Sequence, residues 1–177
     1  MSGMEVRGEG VVLRPWRLED VPAVTAACQD PEVARWLAFV PQPYTEGDAR
    51  FYIRDCLAAG EGRTPFAITD AESGEVIGSI DMRINRMDTG HVGYWLAAEA
   101  RGRGLTTAAL VALSRWGFEE LGLGRIELVT DPDNIASQRV AEKAGFTREG
   151  VLRSILVNRD GTRRDGVMFS LLPGELH

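Results

Sequence analysis

The chain has 177 residues, 44% of them hydrophobic, and a net charge of −6. That length and apolar content suit one globular domain with a real core. The acidic balance argues against nonspecific nucleic-acid binding, which needs a basic face, and suits a cationic amine partner as well as it suits plain solubility.

Val11–Arg14 reads as a first strand, broken at Pro15–Arg17. Leu18–Ala27 reads as a helix with Glu19 and Asp20 in its first turn, and Asp30-Pro31 opens a short helix through Trp36. Pro41 and Pro43 mark a loop, after which Thr45 is placed to cap a helix running to about Ala59. Gly60–Arg63 is a polar connection. Phe66–Asp70 and Glu75–Ile84 read as a hairpin, followed by a turn at Asn85–Thr89 and a strand at His91–Leu96. A helix follows the Gly-rich loop over Thr106–Leu121, and Leu105 just before it falls at helical spacing with Ala109, Ala112, Leu113 and Trp116. Then come a strand at Arg125–Thr130 and a helix at Ser137–Ala144 closed by Gly145. Phe146–Asn158 and Arg163–Leu171 are joined through Asp160-Gly161. This order predicts a mixed sheet with helices on its faces.

Cys28 and Cys56 fall in the helices without paired spacing. They make neither a disulfide framework nor a CxxC site and read as buried or semi-buried thiols in a reducing cytoplasm. His91 and His177 cannot build a His-rich metal site, so no metal is expected. No apolar run approaches a bilayer span of about 20 residues. The N-terminus lacks the basic-then-apolar pattern of a secretory signal.

The most informative segment is Arg101-Gly-Arg-Gly-Leu-Thr-Thr107, a Gly-rich turn between a strand and a helix. Such a turn presents unpaired N–H groups at the positive end of a helix, and Gly102 and Gly104 let the backbone approach a ligand. Arg101 and Arg103 add guanidiniums suited to phosphate. The loop lacks the Gly-Lys-Ser/Thr of a Walker loop, and position 107 is Thr rather than the third glycine of a dinucleotide fingerprint.

A second segment, Asp131-Pro-Asp-Asn-Ile-Ala-Ser-Gln-Arg-Val-Ala-Glu-Lys-Ala-Gly-Phe146, follows a strand and opens a helix. The pair R-G-x-G-x-T and N-x-x-S-x-x-x-x-E-K-x-G-F resembles the GNAT superfamily of acyl-CoA-dependent N-acyltransferases. Val12–Asp20 and Gly145–Arg153 look like its RimJ/RimL branch. The resemblance implies one GNAT domain over 1–177. Its fold is a mixed, mostly antiparallel sheet of about seven strands flanked by helices, with a splayed strand pair at the acyl-CoA site. It also implies acetyl-CoA as co-substrate, an amine acceptor and a homodimer.

Residue by residue, the resemblance assigns the backbone of the strand ending Tyr94-Trp95-Leu96, with Trp95 and Leu96 as its site residues, to the pantetheine amides. It assigns Arg101, Gly102, Arg103, Gly104, Leu105, Thr106 and Thr107 to the pyrophosphate. Thr106 stands where the superfamily usually has Gly or Ala, so its hydroxyl suits either a phosphate or a helix end. Asn134 matches the residue reaching the pantetheine arm, and its chemistry also suits a turn or cap. Lys143 fits the ribose phosphate or plain solvent. Ala141 replaces the Tyr that many members use as thiolate acid, and RimL-like members use the Ser found here as Ser137, which otherwise reads as a helix cap. Leu156 replaces their acidic residue.

The base stays open among Asp81, His91, Glu149 and water. Asp81 suits a cleft or a core edge, and His91 titrates in the useful range but equally suits a surface loop. Trp36, Phe39 and Tyr44 cluster in a Pro-bearing loop that suits an acceptor pocket or a lid of core packing. The acceptor reads as a protein N-terminus or a small amine (aminoglycoside, polyamine or amino acid). Succinyl-CoA is a second donor, and a CoA-binding sensor is the non-enzyme alternative.

Overall fold

The computed structural model describes residues 4–176. Among the described residues eight strands form one sheet in the order β1-β2-β3-β4-β5-β6-β8-β7. They are β1 (Val6–Gly8), β2 (Val11–Arg14), β3 (Arg63–Asp70), β4 (Val76–Ile84), β5 (Thr89–Leu96), β6 (Arg125–Thr130), β7 (Thr147–Val157) and β8 (Arg163–Leu171). Every neighbouring pair is antiparallel except β5 and β6. Five helices flank it: α1 (Val21–Cys28), α2 (Pro31–Trp36), α3 (Glu46–Leu57), α4 (Leu105–Glu119) and α5 (Ile135–Lys143).

The alternation along β3 places a core on each face of the sheet. Phe66 and Ile68 join Leu105, Ala109, Leu110 and Leu113 of α4 in one core. Ala67 joins Val24 of α1, Val33 of α2 and Ile53 of α3 in the other. Trp116 packs edge-on to Phe66 with ring centres 5.6 Å apart.

The helix expected over Leu18–Ala27 divides. Leu18–Asp20 is a 3-10 turn, and the α-helix begins at Val21 with Pro22 in its first turn. Proline lacks an N–H to continue a preceding helix but suits a helix start. Asp20 receives Arg14 through two bonds of 2.9 and 2.8 Å and also accepts the Arg17 N–H. One strand beyond those expected, β1, pairs Val6 with Leu13. Three residues including a glycine carry too little alternation to announce a strand. Strand β3 starts at Arg63, inside the expected polar connection. Cys28 and Cys56 are buried and free. His177 lies outside the described residues, among which no helix is long and apolar enough to cross a membrane.

Candidate active site

The site begins where a ladder stops. Strands β5 and β6 pair only through Thr89↔Arg125, Gly90↔Ile126 and His91↔Glu127, whereas β5 stays paired with β4 up to Leu96. From Val92 onward β5 therefore offers an edge of backbone N–H and C=O groups toward β6. Such an edge can take an extended amide-bearing ligand as an added strand. The opening is a cavity of about 130 Å³, lined by Gly93 and Tyr94 on one side, Val129 and Thr130 on the other, and Asn134 and Ser137 at its end.

Helix α5 sets that end. Asn134 caps it, its side-chain oxygen accepting the Ser137 N–H at 3.1 Å, which leaves Nδ2 as a donor. Ser137 is thus the third helical residue and not the cap. Its Oγ lies 2.9 Å from the Tyr94 hydroxyl, which also reaches the Ser137 carbonyl at 3.3 Å. A phenol has one proton, so it serves one of these acceptors at a time, and the other orientation leaves Ser137 as donor. Burial pushes the Tyr94 phenol up to about 12, against a smaller opposing effect of Ser137. Both hydroxyls therefore stay protonated near neutral pH. Sequence reading placed Tyr94 on the ligand strand but missed its hydroxyl. The only signal is its alternation with Trp95 on a strand already assigned to the ligand.

The Gly-rich loop leads into α4. Gly102 and Gly104 both have φ +77°, and a Cβ on either would meet open space. Gly104 is the N-cap of α4, so the N–H groups of Leu105, Thr106 and Thr107 in the first turn lack intrahelical partners. The left-handed backbone and the unobstructed approach to these donors fit a phosphate. The Leu105 side chain is buried in the core, leaving only its backbone for a ligand. Both loop arginines bind carboxylates of the chain. Arg101 donates to Asp30 at 2.6 Å and to the Leu96 carbonyl at 3.0 Å, and Arg103 to Asp70 at 2.9 Å. Asp70 also accepts the N–H groups of Glu72 and Ser73, which with Arg103 hold it below the usual carboxylate range. Lys143, the chain's one lysine, is exposed near the end of α5.

The acid-base candidates separate. His91 sits at the closed end of the strand pair, its Nδ1 2.9 Å from Glu127, and lines neither cleft. Glu149 on β7 is gripped by Arg125 and accepts from Ser170, which pull it down to about 2 and make it a poor base. Asp81 alone lines a cleft, the larger one of about 840 Å³ that adjoins the cavity between the strands. One Asp81 oxygen binds Arg63 at 2.8 Å, and the other is buried without a partner. Leu156 lines both spaces, as does Arg164, another residue that sequence reading missed. Trp95 lines the larger space, whereas Leu96 belongs to the core. Trp36, Phe39 and Tyr44 all line it as well. Tyr44 does so as a buried member of the second core, so that segment contributes both to the cleft wall and to core packing.

A sequence profile described as an acetyltransferase (GNAT) domain matches residues 11–147. The chain belongs to the GNAT acetyltransferase family. The N-acetyltransferase p20 of Bacillus licheniformis is 31% identical to it over 173 residues, covering 94% of this chain and 95% of that one. Among solved structures, a GNAT-family acetyltransferase from Bacillus anthracis superimposes with a TM-score of 0.85 at 24% identity, over 96% of this chain and 98% of that one. Mycobacterium smegmatis RimJ in complex with CoA-disulfide gives 0.82 at 24% identity, over 98% and 88%. The GNAT chain is thus an N-acetyltransferase by family, and its fold is the one these structures share.

Proposed function

We propose that the chain, acting as one domain, transfers an acetyl group from acetyl-CoA to a primary amine by direct attack within a ternary complex. The observation that carries this reading is the hydroxyl pair Tyr94–Ser137 at the end of the open strand pair, 2.9 Å apart and both protonated at neutral pH. Acetyl-CoA supplies an activated acyl carbon, at which a nitrogen–carbon bond forms as the carbon–sulfur bond breaks. The edge of β5 at Trp95 and Leu96 and the Asn134 Nδ2 would hold the pantetheine arm. The N–H groups at Gly102–Thr107 would hold the pyrophosphate, with Lys143 near the ribose phosphate. Arg101 and Arg103 act chiefly by fixing the loop to Asp30 and Asp70. Ser137, directly or through water, gives the departing thiolate its proton, Tyr94 restores that proton to Ser137, and solvent returns one to Tyr94. The amine's proton leaves through solvent or Asp81.

The acceptor is a protein N-terminus or a small amine. Leu156 in the cleft wall, where the RimL-like pattern carries an acid, favours the small amine. The two free buried thiols fit a reducing cytoplasm. A homodimer is part of the proposal and is read by sedimentation.

The test is release of CoA thiol from acetyl-CoA, with succinyl-CoA in parallel. Ser137→Ala is expected to lower kcat by about 10²-fold or more, the range of general-acid catalysis, with little change in KM for acetyl-CoA. An unchanged kcat removes Ser137 from the mechanism. Tight acetyl-CoA binding without turnover on any amine favours the sensor.

A further inference from the structure

The larger cleft opens directly from the cavity at Ser137, since Tyr94, Val129, Leu156 and Arg164 line both. An acceptor bound there would present its amine to the acyl carbon, so the walls of this cleft determine which amine enters.

The walls are apolar and aromatic. The end of α2 contributes Trp36, the loop before α3 Phe39, α3 Phe51 and Tyr52, and β5 Trp95. Three of the rim residues are unusually open: Phe39 at 89%, Phe51 at 77% and Ile155 of β7 at 45% exposure. They come from three elements and converge on one opening. Single exposed apolar residues are ordinary, but a convergent apolar rim marks a surface that something apolar covers.

The charges in the same cleft cancel. Asp48, Asp55 and Asp81 face Arg63, Arg83 and Arg164. Asp48 is used by the cap of α3, accepting the Thr45 N–H and hydroxyl at 2.8 and 2.6 Å. Asp55 and Asp81 both bind Arg63, at 2.6 and 2.8 Å, and Arg83 lies 3.9 Å from Asp81. Arg164 lies 2.7 Å from Asp131. A polyamine or aminoglycoside brings several ammonium groups, and each must exchange water for an anion on entry. Each carboxylate here is already engaged through one oxygen, and the buried oxygen left open, Asp81 Oδ1, is a single acceptor that suits one ammonium rather than several. A single amine makes one such demand and gives it up when it loses its proton to react. Its apolar body gains from the aromatic walls.

We infer that the acceptor is a monoamine carried on an apolar, aromatic-sized body, seated in this cleft, and that polycationic acceptors are disfavoured. This rests on the acetyltransferase reading above and adds the class of its second substrate. The volume of about 840 Å³ accommodates a free amine of that kind or the first residues of a peptide beginning with an apolar residue. Both present the same chemistry.

The experiment measures thiol release from acetyl-CoA with phenethylamine, a tripeptide beginning with phenylalanine, spermidine and kanamycin. The expected result is a kcat/KM for phenethylamine or the tripeptide at least about tenfold above that for spermidine and kanamycin. The better of the first two identifies the source of the amine. Phe51→Ala, at a side chain too exposed to matter for folding, is expected to raise KM for the preferred amine about tenfold and leave KM for acetyl-CoA unchanged. Spermidine or kanamycin performing as well, an unmoved amine KM in Phe51→Ala, or release with none of the four overturns the acceptor class. Failure of acetyl-CoA itself to bind, read by titration calorimetry, overturns the acetyltransferase reading instead.

Discussion

Tyr94 and Ser137 share one hydrogen bond, so substituting each alone separates donor from relay. Tyr94→Phe keeps the ring and removes the hydroxyl. It is expected to lower kcat about tenfold, less than Ser137→Ala, because water can replace a relay. Steady-state kinetics on both variants checks the order, and a larger loss in Tyr94→Phe assigns the terminal proton to the phenol. Elsewhere, burial raises Cys28 and Cys56 from 9.0 to about 11. A raised folded pKa means that the stabilising contribution is complete below pH 9 and is lost as pH rises through about 11. Both thiols are thus expected to resist iodoacetamide at pH 8 in the folded protein and to react promptly in urea, as mass spectrometry would show. Glu149 has the opposite sign. Its pKa falls from 4.5 to about 2, so the grip of Arg125 is fully present above pH 4.5 and lost as pH falls toward 2.

Among the elements, β4 and β5 meet most tightly at one glycine. A Cβ on Gly78 would collide with the Trp95 carbonyl and Leu96, at the mouth of the opening. Gly78→Ala is expected to destabilise the fold by about 1–3 kcal/mol, the scale of an overpacked core, and to raise KM for acetyl-CoA. Urea unfolding and kinetics read the two effects separately. Gly104→Ala meets no neighbour but forces a left-handed residue, a penalty of about 1–2 kcal/mol. Elements with a local chemical signature were legible in the sequence, such as the Thr45 cap of α3 and the Gly145 end of α5. The split before α1 and the three-residue β1 were not. The first turned on where Pro22 resets a helix, and the second on pairing with a strand whose register no local pattern reveals. In the candidate site, the loop glycines, Asn134 and Ser137 could be named from the sequence because the family motif they resemble lies in two short local segments. The Tyr94 hydroxyl could not, because it meets Ser137 across 43 positions of sequence. Nor could the ion pairs of Arg101 and Arg103, since Asp30 and Asp70 come from other elements.

For the molecule as a whole, the three register pairs between β5 and β6 join the β1–β5 part of the sheet to β6–β8. A ligand lying between those strands bridges the two parts. At 100 times its Kd, acetyl-CoA is expected to add about 2.7 kcal/mol of stability, raising Tm by roughly 5–10 °C for a chain of this size. Calorimetry with and without the ligand checks this, and an unmoved Tm contradicts binding to the folded state. Lys143 has a consequence for the protein's own chemical integrity. The sequence pairs nineteen arginines with this single lysine. Guanidiniums stay protonated and do not attack thioesters, whereas a lysine amine does. A protein that shelters an activated acyl donor thus presents almost no side-chain amine able to consume it. Lys143 is the one side-chain amine open to acetylation, and it lies at the end of α5 away from Ser137, so its acetylation after prolonged incubation reports donor free in solution rather than donor held in the site.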